Sequence, residues 1–115
     1  MTRFESLDAW LRSAALSVNV FRELNELRDF GFGDQITRSS LSISSNIAEG
    51  FERASQKEIA NFLNYAKGSA GELRSQIYVG IKIGYIENET GKAWLKEANK
   101  ISKMLYALIK SVRSN

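Results

Sequence analysis

Ser55-Gln56-Lys57-Glu58-Ile59-Ala60-Asn61-Phe62-Leu63-Asn64-Tyr65-Ala66 opens the most regular segment of the chain. Its first four residues read as a capping box: the Ser55 hydroxyl accepts from the Glu58 amide and Glu58 reaches back, satisfying donors that a helix start leaves orphaned. From there Ile59, Phe62, Leu63, Ala66, Ala70, Leu73, Ile77 and Ile81 recur at steps of three and four, one face of a helical period. Gly84 ends the run, so the spacing predicts a helix over 55–84. A second stripe on the same helix, Tyr65, Gly68, Ser69, Glu72, Gln76, Val79 and Ile83, holds small residues that would let another backbone come close. Gly71 and Gly80 each cost about 1 kcal/mol in a helix interior relative to Ala, which also points to a packing reason.

Outward from this segment, Gly31 and Gly33, Gly50, and Gly84 and Gly91 divide the chain into four pieces of helical length, and no proline interrupts them. The C-terminal piece predicts a helix over 89–111 with Trp94, Leu95, Ala98, Ile101, Leu105, Leu108 and Val112 facing inward. Upstream, a helix over 34–48 places Ile36, Ile43 and Ile47 on one face, with Gly50 as a left-handed C-terminal cap. The first helix, over 6–28, is expected to bury Leu7, Trp10, Leu11, Ala14, Val18 and Phe21. Opposite them lie Leu16, Val20, Leu24 and Leu27; a helix apolar on two sides must bury both, so this second face predicts contact with another subunit. A bundle wide enough to absorb both faces is the alternative. Links of a few residues make consecutive helices antiparallel neighbours. The expected fold is therefore all-α: a single domain over 1–115, built as an antiparallel up-down-up-down four-helix bundle.

A chain of 115 residues buries roughly two thirds of the surface it exposes when unfolded, enough for a core without metal or disulfide support. The absence of cysteine removes disulfides, thiol nucleophiles and thiolate metal sites. The absence of histidine removes Ser-His-Asp and Cys-His catalysis, ordinary zinc hydrolysis and the Glu-x-x-His di-iron sites of helical bundles. No apolar run approaches the roughly 20 residues that span a bilayer, and the N-terminus has no apolar signal core. A cytoplasmic protein with no membrane partner and no cofactor is expected.

Charge is unevenly distributed. From Lys92 onward there are six basic residues and one acid, against ten basic and twelve acidic over residues 1–91. On a helical wheel Lys92, Lys96, Lys100, Lys103 and Lys110 fall within about an 80° sector, away from the apolar stripe. Such a face suits a polyanion, by phosphate contacts that are salt-sensitive and weakly sequence-specific. No aromatic residue is expected among these lysines, so no stacking platform is foreseen. A solvated helix face, with lysines favoured near the C-terminus by the macrodipole, would show the same pattern. On the second helix Arg38, Ser42, Ser45, Asn46, Glu49 and Arg53 form a polar stripe. With Glu72 it could make a buried network or a carboxylate site; a solvent-facing stripe reads the same way.

The run Ser44-Ser45-Asn46-Ile47-Ala48-Glu49-Gly50-Phe51-Glu52-Arg53, followed by Gly68-Ser69 and Glu72-Leu73, resembles the four-helix-bundle proteins named after intervening sequences in 23S rRNA genes. The Ile83-Gly84-Tyr85-Ile86 turn and the apolar C-terminal helix fit as well, so the resemblance covers nearly the whole chain. It is also similar to the accessory variability determinant proteins of diversity-generating retroelements. These resemblances imply a homopentamer, with RNA or DNA, a reverse transcriptase or another protein as partner. They also mark Arg38, Asn46, Glu49, Arg53, Ser69 and Glu72 as a shared polar signature, read here as structural or subunit-contact positions. An Arg38 buried against Glu49 or Glu72 would be costly to break on one side, by about 3–5 kcal/mol. The expectation is a non-enzymatic homo-oligomer that binds nucleic acid or acts as an adaptor. A protein-docking scaffold without nucleic-acid contact and a metal-dependent enzyme using Glu49 and Glu72 are the alternatives.

Overall fold

Four helices carry the chain: α1 (Asp8–Leu24), α2 (Phe30–Phe51), α3 (Gln56–Lys82) and α4 (Asn88–Arg113), with a single 3-10 turn at Phe4–Ser6 ahead of α1. They are the elements of a computed structural model that describes residues 3–114, and no strand occurs among those residues. The start of α3 forms the first half of the capping box, Ser55 Oγ accepting the Glu58 amide at 3.1 Å, while Glu58 Oε1 reaches back to accept from the Ser55 hydroxyl at 3.2 Å and not from its amide. Its end uses Gly84 at φ +84°, and the amides of Tyr85 and Ile86 return to the Gly80 carbonyl at 2.9 and 3.1 Å. A left-handed glycine closing a helix in this way satisfies carbonyls that the last turn leaves open.

Each helix packs on two others in the order α1–α2–α3–α4–α1, and the diagonal pairs stay apart. On the α2–α3 seam Asp29 meets Tyr85, Ser42 meets Ser69, and Gly50 lies against Phe62 and Ile59. On the α3–α4 seam Ile81 lies against Gly91 and Arg74 bonds Asn99. Residue numbers thus climb along one helix as they fall along its neighbour. The bundle measures 45 × 20 × 20 Å. Its axis is filled by Ile36, Ile43, Ile47, Leu63, Leu73, Ile77, Ile101 and Leu105, with Ala66, Ala70 and Ala98 also fully buried.

Three expectations are corrected. Gly50 does not cap α2; it lies inside the helix, and no glycine other than Gly84 has positive φ among the described residues. A Cβ there would stand 2.9 Å from Phe62 Cβ and 3.4 Å from the Ile59 carbonyl oxygen, so Gly50 is a point of close helix approach. The start of α2 is also earlier than the glycines suggested. Asp29 caps it, accepting the Phe32 amide at 3.1 Å and the Tyr85 hydroxyl at 2.9 Å, so Gly31 and Gly33 fall in its first turn. The Phe32 amide, then the Tyr85 hydroxyl, hold the Asp29 carboxyl below its ordinary 3.8, and the same bond pushes the Tyr85 phenol above its ordinary 10.0.

The third correction concerns α1, whose two faces are partly exchanged, although Leu7 and Trp10, expected inside, do pack half-buried against the core. Leu16, Val20 and Leu24, expected at a subunit contact, are core residues, together with Ala9, Ser13 and Ser17; Leu27 is half-buried beyond the helix end. Leu11, Val18 and Phe21, expected inside, are 48%, 47% and 62% exposed. The reason lies in the serines. Ser13, Ser40 and Ser44 bond the carbonyls of Trp10, Thr37 and Leu41 three residues back, so their hydroxyls are satisfied within their own helices. Their small size lets α1 and α2 approach until Ser17 and Ser40 touch at 3.4 Å. A face containing serines is thereby the tighter-packing one.

Candidate nucleic-acid interface

Between α3 and α4 runs an open groove of about 650 Å³, lined by Asn64, Lys67, Gly68 and Arg74 from α3 and by Asn99, Ser102, Lys103 and Tyr106 from α4. Spacings of three, one and six along α3, and of three, one and three along α4, put each set on one helix flank, so two regular helices build the walls. No carboxylate is among the lining residues. Arg74 Nη1 donates to Asn99 Oδ1 at 2.7 Å and ties the walls together. Arg74 Nε and Ser102 Oγ are buried and have no partner, though buried polar atoms are as a rule paired. Tyr106 stands 55% exposed, with Lys110 Nζ 5.6 Å and Lys67 Nζ 5.8 Å from its ring centroid, within reach of cation–π attraction.

Of the five lysines singled out on α4, the structure brings Lys103 into the groove and Lys110 to its rim at Tyr106, while Lys92, Lys96 and Lys100 lie elsewhere on the helix. The expectation that no aromatic interleaves with them is corrected. Tyr106 follows Lys103 by three and precedes Lys110 by four, the spacing of a shared helix face. Lys67 and Arg74 were missed because their helix was read for its apolar stripe and not for what flanks α4.

The polar signature resolves into separate local contacts. Arg38 pairs with Asp34 one turn earlier at 2.9 Å, with its side chain 79% exposed, which corrects the buried pairing with Glu49 or Glu72. Glu49 pairs instead with Arg53 at 2.9 Å, and Arg53 in turn lies 3.9 Å from Glu58 and 4.7 Å above the Phe62 ring. Asn46 donates to the Ser42 carbonyl and hydroxyl at 2.9 and 3.0 Å, and Ser42 meets Ser69 across the α2–α3 seam at 2.9 Å. Ser42–Ser69 and the approach of Arg53 to Glu58 and Phe62 join the α2 side to α3, and the other contacts span a single turn. Glu72 is exposed. Among the described residues no group of three or more carboxylates gathers that could hold a metal ion. Among them, too, no helix is long and apolar enough to cross a membrane.

The profile of the 23S rRNA-intervening sequence protein family matches residues 5–107. The chain belongs to this family. Its fold is shared with the crystal structure of a protein of unknown function from the S23 ribosomal protein family of Bacteroides thetaiotaomicron: 29% identity, TM-score 0.83, covering 89% of this chain and 98% of that one. No curated protein matches the chain. Family membership thus agrees with the fold and with the Asn46–Gly50 and Gly68–Leu73 motifs.

Proposed function

We propose that this family member is a non-enzymatic, self-associating bundle that binds RNA or DNA through the α3–α4 groove. The observation that carries the reading is the convergence of Lys67, Lys103 and Lys110 around Tyr106, with Arg74 further along the same groove and no carboxylate in the lining. Two helices contribute to this cationic surface, whereas a lysine stripe on one helix alone is equally a solvated face. Three lysines engaging phosphates give a log Kd against log salt slope of magnitude roughly 2–3 per protomer. Titrating the protein into labelled structured RNA, duplex DNA and single-stranded DNA at two salt concentrations tests this. Binding that weakens steeply with salt, and that Lys67→Glu with Lys103→Glu abolishes, supports it. Charge reversal at Lys96 and Lys100 is expected to do less, since neither lines the groove.

Self-association, as a pentamer on the family resemblance, is assigned to the face that α1 leaves outside. Leu11, Val18 and Phe21 continue into a groove that Phe21 shares with Leu27 and Phe30, the last 81% exposed. Exposed apolar patches of this kind mark association sites. A monomeric mass in light scattering at micromolar concentration refutes this part. The same stripe favours a second reading, a scaffold that docks a protein such as a reverse transcriptase. Recovery of one protein partner after nuclease treatment, lost on Phe21→Lys, distinguishes it.

A further inference from the structure

We propose that the α3–α4 groove receives a single unpaired nucleotide, its base stacked on Tyr106 and its flanking phosphates held by Lys67, Lys103 and Lys110; this rests on the nucleic-acid reading above and specifies its substrate. The open groove holds about 650 Å³, within the roughly 300–1,000 Å³ of small-ligand sites, so a nucleotide-sized group can enter it whereas a whole duplex could only lie across its mouth. It therefore accepts something that protrudes from the strand. Tyr106 is the aromatic in its lining, half exposed on α4 between Lys103 and Lys110 in sequence. The ammonium groups now near its ring belong to exposed, flexible side chains that can swing from ring to phosphate when a base takes their place.

The remaining lining is chemistry for a base edge. Asn99 Oδ1 is engaged by Arg74, which leaves its amide as donor, and the Asn64 amide is engaged by the Ala60 carbonyl at 3.2 Å, which leaves its oxygen as acceptor. A lining that offers both donors and acceptors matches the mixed edge of a nucleobase better than a bare phosphate, which presents acceptors alone. Gly68 keeps the entrance open, since a Cβ built on it meets nothing within 4 Å.

The test uses RNA and DNA hairpins in three forms: fully paired, with one bulged 2-aminopurine, and with an abasic site at the bulge. The bulged form is expected to bind about 5- to 100-fold more tightly than the other two in at least one of the sugars, with quenched 2-aminopurine fluorescence. Tyr106→Ala removes the preference and the quenching, and Tyr106→Phe keeps both. Gly68→Leu, which changes no charge and meets no neighbour at Cβ, lowers bulge binding to the fully paired level. Equal, salt-sensitive binding of all three forms overturns the nucleotide proposal and leaves the phosphate reading standing. No binding at low salt overturns both. A bulge preference that survives Tyr106→Ala and Gly68→Leu in folded variants overturns this groove as its seat.

Discussion

Gly50 and Gly68 are both helical glycines, so alanine at either gains the same intrinsic helix propensity, about 0.8–1.0 kcal/mol. Their surroundings differ. At Gly68 the new methyl enters open space, and the full gain of about 1 kcal/mol is expected. At Gly50 it would stand 2.9 Å from Phe62 Cβ, an atom fixed to the α3 backbone and unable to rotate away. Overpacking of this kind costs about 1–3 kcal/mol, so Gly50→Ala should be net destabilising by up to about 2 kcal/mol. Urea unfolding measures both variants, as a change in midpoint at constant slope. Destabilisation alone would not separate a packing glycine from a left-handed cap, because alanine is poor at both. Asparagine separates them: it tolerates the left-handed conformation but is larger than alanine. Close packing predicts the parent to be most stable, then Gly50→Ala, then Gly50→Asn; a cap predicts Gly50→Asn above Gly50→Ala. Finding the asparagine variant more stable than the alanine variant, or Gly50→Ala as stabilising as Gly68→Ala, would falsify the close approach of α2 to α3.

Other outcomes follow from single contacts. Because the Asp29 carboxyl is held below 3.8, the stability it contributes is present above that pH and is lost as pH falls through its folded value. Tyr85→Phe, which removes one of its donors, should raise the Asp29 value seen by carboxyl NMR and shift acid unfolding to higher pH. Arg12 Nη1 reaches both Glu97 oxygens at 3.0 Å across the α1–α4 seam, with each side chain about one third exposed. A double-mutant cycle should give a coupling of about 0.5–1 kcal/mol, reduced in high salt. Leu63→Ala removes a fully buried side chain and should cost about 2–5 kcal/mol in the same urea assay.

The apolar stripes of α2, α3 and α4 were legible because each of those helices has one apolar face, and Ile36, Ile43, Ile47, Leu63, Leu73, Ile77, Ile101 and Leu105 lie where periodicity put them. The capping box and Gly84 were legible because their signals are local. Helix limits marked by glycine were less so, since Asp29 and the close approach at Gly50 draw α2 beyond both of its glycine borders. The candidate groove was half legible. Lys103, Tyr106 and Lys110 share a face of one helix, but the juxtaposition of Lys67 and Arg74 depends on which flank of α3 faces α4. That is a property of the packed pair.

The partial exchange of faces on α1 shows why periodicity could not choose. Both faces are apolar, and the hydrophobic gain from burying Leu16, Val20 and Leu24 is similar to that from burying Leu11, Val18 and Phe21. Interhelical distance decides. Serines at Ser13, Ser17, Ser40 and Ser44 remove bulk from the α1–α2 seam at little polar cost, and closer helices gain contacts along their whole length. The bulkier stripe is therefore left outside, on the helix pair that lies across the bundle from the α3–α4 groove. On the proposed reading, copies joined through Leu11, Val18 and Phe21 would meet on the side of the bundle opposite the α3–α4 groove. Opposed seams also make the two functions separable: Phe21→Lys should disperse the assembly while each protomer keeps its affinity for a bulged hairpin, losing only the avidity that several linked grooves supply.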